Sequence, residues 1–149
     1  MRVKLTLDND FCGALNELLL SKVKNKMIRP EYYKDNISSL YLVAIKRKWN
    51  AYQFDAMKRL ERCEQKGSFK NDIEKTITVI ELCKVEYKPS VWNKVKFLFK
   101  TPPNKVSDQR EWNFFVHNIC YYLETGRYDL AIVECKKYYY FVTKNNLHV

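Results

Sequence analysis

Two histidines and five cysteines limit the nucleophilic chemistry open to this chain of 149 residues. His117 and Cys120 stand three apart, which brings them to one side of a helix. A thiol beside an imidazole is the minimum for a thiol nucleophile. Pairs at this spacing arise readily by chance in helices, so Cys120 is expected in the core with His117 at its boundary. Asp8 with Asp10, and Glu61 with Glu64, sit at the spacing of helix caps or solvent-facing pairs. The metal-binding and phosphate-cradling signatures HExxH, DxDxDG, GxxxxGK[ST] and GxGxxG are absent. Three glycines leave little material for a phosphate loop. The five cysteines are widely spaced, with no CxxC pair and no zinc-knuckle pattern. They read as reduced thiols, four of them on apolar helix faces. No catalytic residue, metal site or cofactor is expected, and an enzyme is not the reading.

Binding chemistry is better supplied. Lys and Arg total 27 against 17 acids, a formal charge of +10. Such a surplus favours acidic protein surfaces, nucleic acid or anionic lipid. It also follows from AT-rich coding, since Lys, Asn, Ile, Tyr and Phe are abundant and Ala is scarce. An AT-rich source such as a virus or phage fits that composition. From Ile37 to Cys63 there is no Gly or Pro. Within this run Ile37, Tyr41, Ile45, Trp49, Tyr52, Ala56, Leu60 and Cys63 recur at helical spacing. Arg47, Lys48, Lys58, Arg59, Arg62 and Lys66 gather on one flank of that stripe, with Asp55 as the acid among them.

Aromatic residues make up 15% of the chain, including Tyr32-Tyr33, Tyr121-Tyr122 and the run Tyr138-Tyr139-Tyr140-Phe141. Consecutive helical residues point about 100° apart, so such runs cannot all face one core. Lys136 and Lys137 precede the last run. The expected partner-binding set is therefore Arg47, Lys48, Lys58, Arg59, Arg62, Lys66, Lys136, Lys137, Tyr138, Tyr139 and Tyr140. Trp92–Lys100 is basic and aromatic and could lie on an anionic membrane. Packing on neighbouring helices is the favoured expectation there, and a membrane is not an expected partner.

The elements that would position these groups are helical. The spacing predicts helices over about 11–27, 37–65, 68–84, 91–100, 108–124 and 128–143. The β-branched stretch Thr76–Ile80 leaves a strand as the alternative in the third of these. Asp108 with Glu111 reads as a capping box. Thr101-Pro102-Pro103-Asn104 is the clearest loop. Residues 2–7 alternate as a strand or extended arm would. The fold class is all-α: one domain of five or six mostly antiparallel helices over residues 11–145. An extended N-terminal arm (1–10) precedes it and a polar tail (146–149) follows.

No run approaches a membrane span, and residues 1–5 lack the apolar region of a signal peptide. The expected location is the cytoplasm, or a particle assembled in a reducing cytoplasm. Gly126-Arg127-Tyr128-Asp129-Leu130-Ala131-Ile132, with Tyr122 before it, resembles the helix–helix turn of a tetratricopeptide repeat. Ile119 and Tyr138 stand where that family has small residues, and one unit is too few for a solenoid. The resemblance implies an antiparallel helical hairpin. The function expected is a non-enzymatic structural or interaction subunit of a larger assembly, homo- or hetero-oligomeric, such as a viral or phage particle component. It would meet an acidic partner through the basic helix face. The alternative is a nucleic-acid-binding protein acting as a free monomer or dimer.

Overall fold

The computed structural model describes residues 39–145. The expected arm (1–10), the helix over 11–27, Cys12, Ile37, His148 and the tail (146–149) lie outside the described residues. Among those described, the chain is all-helical, with seven helices and no strand. They are α1 (Leu40–Arg47), α2 (Ala51–Arg62), α3 (Phe69–Glu86), α4 (Val91–Leu98), α5 (Asn104–Arg110), α6 (Phe114–Glu124) and α7 (Tyr128–Lys144). No helix among the described residues is long and apolar enough to cross a membrane.

Four of the seven build the core. α2 packs on α3 and on α6, and α7 packs on the same two, so the four close a ring. Each lends one stripe to the interior: Ala56, Met57 and Leu60 from α2; Phe69, Ile73 and Ile80 from α3; Val116, Ile119 and Leu123 from α6; Ala131, Tyr138 and Val142 from α7. The three- and four-residue steps of these positions are what a helix buries on one face. That periodicity prevails over the β-branched run Thr76–Ile80, which lies inside α3. Thr76 returns its hydroxyl to the Asp72 carbonyl at 2.7 Å, so its polar atom is satisfied inside the helix.

Two expected helices are each broken in two, and in the same way. The helix predicted over 37–65 ends at Lys48, which adopts a left-handed backbone (φ 58°). It restarts after Asn50, whose side chain accepts from the Gln53 amide while Gln53 returns a bond to the Asn50 amide, a complete capping box. The helix predicted over 108–124 ends α5 at Glu111 (φ 54°) and begins α6 after Asn113, which accepts from the Val116 amide. Asp108 therefore sits inside α5 and starts nothing. The first break has a large consequence. It turns α1 out of line with α2, so Tyr41 and Ile45 are 63% and 73% exposed, whereas Ala56, Leu60 and Cys63 on the α2 side of the same stripe are buried.

The turns that close α2 to α3 and α6 to α7 each place a glycine at positive φ, Gly67 at 71° and Gly126 at 72°. At Gly126 space is also short, since a Cβ there would stand 3.2 Å from the Phe97 ring. The segment around Gly126 is thus a helix–turn–helix.

Candidate partner-binding site

The break at Lys48 first divides the eleven residues expected to bind a partner. Arg47 does not join the flank of α2. Its guanidinium lies against Glu124 at the end of α6, Nε to Oε2 at 2.5 Å and Nη2 to Oε1 at 2.8 Å. The Trp49 indole N–H donates to the same carboxylate at 3.0 Å, and Lys100 Nζ stands 4.0 Å away. Glu124 is only 2% exposed. A carboxylate so buried requires paired charge and full hydrogen bonding, and this one has both. The contact raises the Arg47 pKa, chiefly through its hydrogen bond to Glu124. Burial lowers that of Lys100, partly offset by Glu124.

A second clamp repeats the first. Arg110 Nε donates to Glu61 Oε2 at 2.6 Å, its Nη2 bonds Glu61 Oε1, and the Trp112 indole donates to Oε2 at 3.0 Å. Arg47, Trp49, Asn50 and Glu61 each have their counterpart 63 residues later, in Arg110, Trp112, Asn113 and Glu124. The exchange is reciprocal: the segment before α2 reaches the end of α6, and the segment before α6 reaches the end of α2. Between them Trp49 and Trp112 stack with ring centres 6.4 Å apart. Composition and helical periodicity do not reveal this duplication. Its signal is Arg-x-Trp-Asn written twice (Arg47–Asn50 and Arg110–Asn113), with a glutamate at the same offset after each.

On α2 the remaining basic side chains are largely engaged. Arg59 lies 3.3 Å from Asp55, one turn away. Lys58 Nζ stands 6.0 Å over the Phe54 ring. Arg62 buries its Nε against the bundle without a hydrogen-bond partner. Lys48, on the left-handed cap, and Lys66, before Gly67, are exposed. Four of the six cations of the expected flank thus serve a clamp, an intrahelical pair, a ring contact and the bundle wall, and Lys48 and Lys66 stay in solvent.

The α7 set divides too. Tyr138 is a core residue, 2% exposed, with its ring stacked on Phe115 and set edge-on to Phe69. Its hydroxyl donates to Glu64 Oε1 at 2.6 Å and accepts from Asn113 Nδ2 at 2.9 Å. Burial drives the Tyr138 pKa far up, with the Cys63 thiol and Glu64 adding to the effect. Its expected role at a partner surface is therefore corrected: the ring is too enclosed to meet another molecule. Tyr139 is half-buried and stacks on Phe69. Lys136, Lys137 and Tyr140 are exposed. At 100° per residue they share the outward side of α7 with Lys144, whose Nζ stands 5.8 Å over the Tyr140 ring. From Lys136 to Lys144 the helix carries no acid. Glu134, within 4.0 Å of Lys137, is buried.

The four thiols among the described residues are interior groups. Cys63, Cys83, Cys120 and Cys135 are free and buried. Burial pushes the Cys63 and Cys135 thiols up to about 12. The Cys120 thiol is held well above its usual range by burial, and next by the adjacent Glu124 carboxylate. Among the described residues, no three His, Cys, Asp or Glu side chains are grouped to hold a metal ion. The chain matches no protein-family model, no curated protein and no solved structure. The functional reading rests on geometry.

Proposed function

We propose that this chain is a non-enzymatic interaction subunit of a larger assembly, and that the outward face of α7 meets an acidic protein partner. The observation carrying this reading is the grouping of Lys136, Lys137, Tyr140 and Lys144 on one exposed side of the C-terminal half of α7, a stretch without acid; the exposed Asp129 lies two turns before it and pairs with Lys84. A positive patch of this kind steers an anionic surface into place and fixes its register. The ring of four helices behind it acts as a rigid carrier. The buried, strongly protonated Cys120 thiol supports the non-enzymatic side, because the thiolate is the nucleophile and burial disfavours it.

Nucleic acid is the second reading, favoured by one feature. Tyr140 exposes an aromatic ring beside three lysines, an arrangement on which a base can stack. Single-strand binding uses successive aromatic platforms. Here the neighbouring rings are withdrawn, Tyr138 into the core and Tyr139 onto Phe69. Charge then carries the contact, and charge does not require bases.

The discriminating experiment titrates fluorescent polyglutamate, oligothymidine and an abasic oligomer of matched charge. Polyglutamate is expected to bind at low salt and to weaken as salt rises, while the two oligomers bind alike. A tenfold or greater preference for oligothymidine over the abasic oligomer would move the assignment to nucleic acid. Absence of polyglutamate binding at low salt would overturn the proposed function.

A further inference from the structure

The segment containing α4 does not pack as its sequence leads one to expect. α4 contributes no buried residue. Val91, Trp92, Leu98 and Phe99 are 77%, 76%, 79% and 81% exposed, and Val95 is exposed as well. Rotation by 100° per residue gathers these five side chains into one arc about 120° wide. The opposite side of the helix faces the bundle. There Phe97 lies against Gly126, and Lys100 donates from Nζ to the Arg47 carbonyl at 2.5 Å. Arg47, already fixed by Glu124, also donates to the Thr101 carbonyl at 2.8 Å. Phe97, on the Gly126 turn, and the residues just past the helix, Lys100 and Thr101, on Arg47, therefore hold the α4 segment, and its apolar side is left outward.

Charge tells what that side fits. Lys94 borders one edge of the apolar arc and Lys96 the other, both exposed. Between Glu86 and Asp108 the chain carries five lysines and no acid. A helix with Trp, Phe and Leu on one face and lysines along both margins is built to lie in the plane of a membrane interface. Its rings then enter the acyl boundary while the ammonium groups reach the headgroups. An acidic groove on a protein would answer the charge, but it would need walls shaped to a convex arc of two large aromatic rings. A bilayer accommodates them without such a fit.

We infer that the outward face of α4 docks on an anionic lipid surface, with Trp92, Leu98 and Phe99 inserted and Lys94 and Lys96 on phosphate headgroups. This surface is separate from the α7 face and does not depend on it. Apolar insertion and attraction of the lysines to anionic lipid are the two contributions with which binding of an interfacial helix scales, and the lysines make it selective for anionic leaflets.

The test is co-sedimentation of the full chain with large vesicles, either pure phosphatidylcholine or phosphatidylcholine with 30% phosphatidylserine (about the order of an anionic leaflet). At least tenfold stronger binding to the anionic vesicles is expected. Two double variants, Trp92→Ser/Phe99→Ser and Lys94→Glu/Lys96→Glu, should each lose at least tenfold. Both alter exposed side chains, and an unchanged melting temperature checks that they fold. Lys136→Glu/Lys137→Glu should retain most of the vesicle binding. Equal binding to neutral vesicles, or full binding by the serine variant, would overturn the inference. So would loss of an oligomer on Trp92→Ser/Phe99→Ser without any vesicle binding, which would make the face a contact between copies. If polyglutamate binds as proposed and vesicles do not, the α4 inference fails alone.

Discussion

Replacing Glu124 by alanine is expected to destabilise the fold by roughly 3–5 kcal/mol, the range for breaking a buried ion pair by removing one partner. The carboxylate is almost wholly enclosed and holds Arg47 by two hydrogen bonds and Trp49 by one. Without it the Arg47 guanidinium, with 16% of its side chain exposed, is left largely desolvated and unpaired. Lys100 loses its nearest anion as well. Urea unfolding of the variant measures the loss. Glu61→Ala should cost less, because the Glu61 side chain is 23% exposed and its removal opens the clamp to water, even though Arg110, at 11%, is no more exposed than Arg47. Arg47→Ala added to Glu124→Ala should cost much less than it does alone, since the partner is already gone. Equal losses at Glu61 and Glu124 would show that burial does not set the strength of the clamps.

The second large effect is at Tyr138. Truncation to alanine should cost about 3–5 kcal/mol, as for other buried aromatic rings. The ring fills the space between Phe69 and Phe115 and is contacted from both sides. Tyr138→Phe keeps the ring and removes only the hydroxyl, leaving Glu64 and Asn113 without a partner they now use. About 1–3 kcal/mol is the expected cost of that smaller change. Thermal and urea melts of the two variants should rank alanine well below phenylalanine. A surface tyrosine would show neither loss, so these measurements also check the placement of Tyr138 in the core.

Much of the helical content was legible in the sequence. Helical periodicity located α2, α3, α6 and α7 because each buries a continuous stripe, and Ile73, Ile80, Ile119 and Leu123 lie where that stripe predicts. What it could not show was the interruption at Lys48 and Glu111. Both are ordinary charged residues that visit a left-handed backbone because tertiary contacts on either side hold them there. No glycine marks either break. Asn50 and Asn113 are residue types that cap helices well, but inside an apparently continuous apolar stripe the periodicity is the stronger signal.

The candidate site was harder to read, for a related reason. A helical wheel assigns each residue to a face but not to the neighbour that occupies that face. Arg47 is expected on a flank offered to a partner, yet the acid it meets is Glu124, from 77 residues further along the same chain. Tyr138, Tyr139 and Tyr140 form one run in sequence, but only Tyr140 remains on an open face, since the helix turns the first inward and the second onto Phe69. Lys136 and Lys137 are exposed, as lysines rarely enter a core. α4 shows the converse. Its apolar spacing suggested burial, but nothing among the described helices covers that face.

The account stands on the positive outer face of α7, and a charge reversal there tests it most directly. Titration of labelled polyglutamate against wild type and Lys136→Glu/Lys137→Glu/Lys144→Glu, at low salt and with matched melting curves, is the measurement. The account predicts at least a tenfold loss of affinity with the melting temperature unchanged. Wild-type affinity in a triple variant that folds normally would contradict it.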